Sequence, residues 1–282
     1  MWKQELNSLI RGISGGFLFG IPLLYTMEVW WVGSSAKPPR LLIAIALTFT
    51  IVFLLNQTTG FRDTKDVRFR DAFMDSTRAI AIGLLCTSCV LVLFQEITFD
   101  TPLGEALGKL IYESVPFALG VALSNQFLKD NSDQNQEDRK KQQKSDRKKQ
   151  LNGTIADVGA TFVGSIIVGF SIAPTDEVPM LAASTSGPWL LLLILASLLI
   201  SYAIVFAASF SNQTKRQQQQ GIFQDPFSET VISYLVSLVA AALMLWFFNQ
   251  LNLELPWSTW LRYTVIMGLP ASVGGAAGRL AI

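Results

Sequence analysis

Two glutamates carry the chemistry that this chain could perform. They stand at the ends of apolar segments, in Thr26-Met27-Glu28-Val29 and, 149 residues on, in Thr175-Asp176-Glu177-Val178. A carboxylate near hydrocarbon is costly unless it meets water, a partner or a cation, up to about 3 kcal/mol at a helix centre and less at the interface. Each glutamate follows a proline, Pro22 or Pro174, and proline removes an intrahelical hydrogen bond and frees a carbonyl. Free carbonyls beside a carboxylate are ligands for a small cation or a proton. If Glu28 and Glu177 meet, they share one proton or one metal cation, because two close carboxylates do not both ionise cheaply. Asp176 joins them on one side only, since its counterpart is Met27. The plainer alternative is a pair of wetted interfacial acids.

A second row is Glu105, Lys109 and Glu113, spaced i, i+4, i+8 on one helix face, where Lys109 can pair with both acids. Charges this far into an apolar segment mark a gate or a proton-linked switch, or else a neutralised structural pair. Pro116 and Pro270 fall in mid-segment, each followed four residues later by a glycine, and are expected to kink their helices beside a path or to serve close packing. Phe69-Arg70-Asp71-Ala72-Phe73-Met74-Asp75-Ser76 returns as Phe223-Gln224-Asp225-Pro226-Phe227-Ser228-Glu229-Thr230. Asp71, Asp75, Asp225 and Glu229 then sit near helix N-termini, where acids complement the helix dipole. Their other reading is an inner vestibule that attracts cations.

There is no histidine, which removes His-based metal sites, proton relays and haem ligation. Cys86 and Cys89 lie inside an apolar segment and read as packing residues. No phosphate-cradling loop and no nucleophile–base set is present, so neither an enzyme nor a cofactor is expected.

The elements that must position these residues are membrane spans. Half of the residues are apolar and 15% are charged, against about 25% in soluble domains. Eight windows of spanning length follow: 9–31, 39–56, 75–96, 104–127, 155–178, 188–210, 229–250 and 258–280. The first lacks a small-residue cleavage site and is expected to stay as an anchor. The landmarks recur in order, including Asn56-Gln57-Thr58 with Asn212-Gln213-Thr214 and Pro102 with Pro256. Four spans per half is an even number, so the halves are parallel repeats. The expected domains are 1–128, a charged linker at 129–152, and 153–282.

The linker is too polar to bury a core and carries a basic run, Arg139 to Lys149, suited to anionic lipid. Net charge is +1, which gives no argument for nucleic acid. With the N-terminus inside, only Lys37, Arg40, Lys109 and Arg262 of the 22 Lys and Arg lie outside. The positive-inside rule thus puts both termini in the cytoplasm. Trp30, Trp31, Trp189, Trp257 and Trp260 fall at the outer ends of spans, as an interfacial belt.

Arg11-Gly12-x-Ser14-Gly15-Gly16, the Thr26 to Trp31 stretch and the acidic Phe69–Asp75 motif resemble an uncharacterised family of bacterial integral membrane proteins. The resemblance covers most of the chain outside 129–150 and implies the bacterial cytoplasmic membrane, with no particular activity. The expected fold is all-α and polytopic, with eight transmembrane helices in two parallel four-helix repeats. The expected function is a small-cation or proton channel or an ion-coupled transporter, with its path between the repeats. The alternative is a non-transporting scaffold or sensor that signals through the linker. The lipid bilayer and the ion are the expected partners, and a homo-oligomer is one way to close the path.

Overall fold

A computed structural model describes residues 2–58, 69–129, 146–208 and 226–280. Long apolar runs have no water to satisfy their backbone, so helix is the form that pairs every N–H and C=O internally. Among the described residues all regular structure is helical. The chain divides into two compact units, Met1–Gln126 and Phe127–Ile282.

Unit 1 holds α1 (Trp2–Leu24), α2 (Met27–Ser34), α3 (Pro38–Thr58), α4 (Phe69–Leu93) and α5 (Leu103–Lys129). Unit 2 holds α6 (Asp146–Ile172), α7 (Glu177–Ser184), α8 (Gly187–Tyr202), α9 (Pro226–Phe247) and α10 (Trp257–Leu280). A π-helical turn, Ala203–Ala207, continues α8. Residues 130–145 of the expected linker lie outside the described residues, and Asp146 already opens α6.

Among the described residues the candidate spans number five to seven, against the eight expected. Five helices among the described residues are long and apolar enough to cross a membrane: α3, α4, α5, α8 with its π turn, and α9. The expected first and fifth spans are each broken. α1 and α2 meet at 89°, and α6 and α7 at 90°, which brings the total to seven if each bent pair is one span. The breaks are built alike, with Thr26 N–H donating to the Leu23 carbonyl and Thr175 N–H to the Ile172 carbonyl, both at 3.1 Å. Pro174 sits in the second break, whereas Pro22 lies within the last turn of α1.

The expected eighth span, α10, is not apolar enough to pass the same test. Its residues from Val265 to Ala276 are all buried. A helix surrounded by protein needs small residues for close approach more than it needs a lipid-facing surface. Pro116 and Pro270 do not break their helices, since α5 and α10 run through them. Ser114 and Ser272 hydroxyls donate to the carbonyls of Ile111 and Leu269, each at 2.8 Å, beside the two prolines.

Glycines set the crossings. In unit 1, a Cβ on Gly120 would collide with the Gly15 carbonyl, and one on Gly20 would enter the Phe117 ring, so α1 and α5 touch backbone to backbone. In unit 2, Gly164 and Gly274 stand in the same relation between α6 and α10. Such overpacking costs about 1–3 kcal/mol, and more where backbone must move. Gly120→Leu and Gly274→Leu are therefore expected to lower the unfolding free energy in detergent by at least that amount. Alanine at Gly104, Gly159 or Gly187, whose added Cβ meets nothing within 4 Å, should leave it within about 1 kcal/mol, the helix-propensity range.

Candidate functional site

The helix breaks place the acids. Each short helix begins with a glutamate in its first turn, Glu28 in α2 and Glu177 in α7. Their surroundings differ. Glu28 is exposed. Glu177 is 7% exposed, and its Oε2 has no hydrogen-bond partner. Asp176 occupies the position before α7, exposed and making no side-chain cap. Among the described residues no three His, Cys, Asp or Glu side chains gather at one point.

In unit 1 the end carrying the α1–α2 bend is closed by charge. Lys109, 9% exposed, reaches Glu105 at 2.9 Å and Glu96 at 3.3 Å, and donates to the Glu96 carbonyl at 3.3 Å. The expected pairing of Lys109 with Glu105 forms, but that with Glu113 does not. Glu96, from the α4–α5 loop, takes the second place. α2 rests on this cluster, because Gly33 approaches the Gly108 carbonyl and the Lys109 backbone so closely that no Cβ fits.

Unit 2 secures its short helix differently. The Arg262 guanidinium donates to the carbonyls of Ala182 and Thr185 at the C-terminal end of α7, both at 3.1 Å, where a cation complements the helix dipole. Gln250 donates to the Thr175 carbonyl at 3.1 Å, across the break itself. Gln95 and Asn249, 154 residues apart, precede Glu96 and Gln250, and both have φ of 61°. The N–H groups of Glu96 and Gln250 then return to the carbonyls of Leu91 and Leu245 at 2.9 and 2.8 Å. From these left-handed helix ends the Glu96 side chain reaches Lys109 of α5 and the Gln250 side chain reaches the break before α7.

Glu113 lies in the interior of unit 1. It is 1% exposed, and its Oε1 has no hydrogen-bond partner. Its backbone carbonyl accepts from the Thr87 hydroxyl of α4 at 3.4 Å. Lys109, one turn away, is committed to Glu96 and Glu105. Pro116 follows three residues later, so the Tyr112 carbonyl lacks its usual helical donor.

The acids read as an inner vestibule lie at the ends opposite the bends. Asp71 and Asp75 are exposed in the first turns of α4, with Asp75 3.7 Å from Arg78. Asp225 lies outside the described residues. Glu229 is not open to a cation from solution, because it pairs with Arg279 of α10, which is fully buried. Arg279 also donates to the Ser233 hydroxyl at 2.9 Å and lies 5.4 Å over the ring of Phe206. Phe206 belongs to the π turn. Such turns often mark functional positions in helices.

The helices, their buried ionisable side chains and the two broken pairs define an all-helical polytopic integral membrane protein. The chain belongs to the family described as "Putative integral membrane protein (DUF2391)", whose sequence profile matches residues 8–282. No curated protein and no solved structure matches it.

Proposed function

We propose that this protein is a proton or small-cation channel or an ion-coupled transporter, and that Glu113 is the group that takes up the ion. The observation that carries this reading is a carboxyl 1% exposed, deep in an apolar segment, whose Oε1 has no partner. Burying an ionised carboxylate without a partner is prohibitive, so such a group is held neutral by a proton or a bound cation. Calcium takes six to eight oxygens, whereas a proton needs one. The proton therefore suits Glu113 best. In unit 2, Glu177 is a second buried acid, and in unit 1 the Lys109 cluster one turn from Glu113 is the gate beside it. The matching order of elements, breaks and helix ends in the two units supports two parallel repeats. The clustering of Lys and Arg supports cytoplasmic termini and a bacterial cytoplasmic membrane.

The test is reconstitution in liposomes with entrapped pH and Ca²⁺ dyes. Under a potassium diffusion potential, proton flux well above that of protein-free vesicles is expected. Silence for both ions, under a potential and under a pH gradient, sinks the proposal and favours a scaffold.

A further inference from the structure

At the N-terminal end of unit 1, α1, α4 and α5 together line a groove. A Cβ on Gly12 would lie 3.2 Å from Val121 and 3.4 Å from Ile82, so the helices close at that level. Beyond it they leave an open groove of about 570 Å³. Its walls are apolar: Leu6 and Leu9 from α1, Ile82 from α4 and Val121 from α5. Its rim is charged: Glu5 from α1, with Asp75 and Arg78 from α4.

A cleft with apolar walls between two helices of a membrane protein is filled by hydrocarbon more readily than by water. The rim sets the headgroup. Two carboxylates and one guanidinium match a ligand that carries both signs, with ammonium toward Glu5 and Asp75 and phosphate toward Arg78. The Asp75–Arg78 pair is long, at 3.7 Å, and both partners are more than half exposed. A pair of that kind is held weakly and re-partners easily. Trp2, 91% exposed, stands at the same rim, and indoles settle at the level of lipid headgroups. Unit 2 shows what this position on the helix accepts: Glu229, 154 residues after Asp75, binds the guanidinium of Arg279.

We propose that the groove seats one phospholipid whose headgroup bears a primary ammonium, its chain against Leu6, Leu9, Ile82 and Val121. A quaternary ammonium cannot donate hydrogen bonds to Glu5 and Asp75, and a glycerol headgroup has no cation for them.

The test uses the full chain in detergent. It compares phosphatidylethanolamine, phosphatidylcholine and phosphatidylglycerol of the same acyl composition by native mass spectrometry. Wild type should retain the ethanolamine lipid about tenfold better than the other two, the scale of a charge-assisted hydrogen bond. The double variant Glu5→Gln/Asp75→Asn alters two exposed side chains and should erase that preference. Arg78→Gln should weaken all three lipids alike. In proteoliposomes, brominated phosphatidylethanolamine should quench wild type more than Trp2→Phe. Equal retention of the three headgroups, a preference that survives the double variant, or equal quenching of wild type and Trp2→Phe overturns the assignment.

Discussion

Glu113→Gln is expected to abolish proton flux in liposomes while leaving the protein folded. Glutamine keeps the shape of the side chain and removes the exchangeable proton of the acid. A loss of about 10²-fold or more is expected, the scale of a positioned proton-transfer group. Glu113→Asp keeps the acid, and one missing methylene costs about 1 kcal/mol in a packed interior. Its flux should therefore survive in part. Stability should move the other way. A buried polar atom without a partner costs about 1–3 kcal/mol, and Glu113 Oε1 is such an atom. Glu113→Met should therefore unfold later than wild type in a denaturant titration while conducting nothing. A residue kept at the expense of stability is the signature of function. If Glu113→Met unfolds earlier than wild type, the carboxyl is structural, and this part of the proposal fails.

Arg279→Met is expected to be among the most damaging single changes in unit 2. The guanidinium is fully buried and paired with Glu229. Removing one partner of a buried pair strands the other, at a cost of about 3–5 kcal/mol. Adding Glu229→Gln should return most of that loss, because the stranded charge goes with it. Replacing both partners by apolar residues of similar volume is often neutral or stabilising, so Arg279→Met/Glu229→Leu should melt close to wild type. Equal losses in the single and double variants would show that Arg279 contributes through its packing on Phe206 and Ser233 instead. Chemical unfolding of the four proteins in one detergent decides between these outcomes.

Which of these features a sequence shows depends on how far apart the partners are. The helices were legible because lipid imposes one backbone solution on any long apolar run. The Glu105–Lys109 pair was legible because i, i+4 is a fixed geometry on one helix. The second partner of Lys109 was not, because Glu96 reaches it across a loop whose path depends on the left-handed residue Gln95. Glutamine and asparagine are not the glycines that usually announce such a turn. The pairing of Glu229 with Arg279 spans 50 residues, so only packing reveals it. The breaks in the first and fifth segments escaped because apolar residues resume directly after them, and hydropathy is blind to direction. Trp30 and Trp31 adjoin in the expected aromatic belt, yet Trp30 is buried while Trp31 is exposed. Glu28 and Glu177 looked equivalent in sequence, and only packing separates a solvated acid from a buried one.

The composition of α10 bears on how unit 2 is made. The insertion machinery sorts each emerging segment between water and lipid by its own apolar character. α10 carries Arg262 and Arg279 near its two ends and is rich in glycine between them. By itself it is a poor candidate for entry into the bilayer. In the folded unit it packs on the Ala160 and Gly164 surface of α6 and on Ser233 and Glu229 of α9. The ribosome delivers α10 after both. Until it arrives, α6 and α9 hold a seam of small and polar residues with nothing to close it. Unit 2 is thus assembled from a frame that waits for its centrepiece. A quality-control protease that recognises an open seam would remove chains that stop after Phe247.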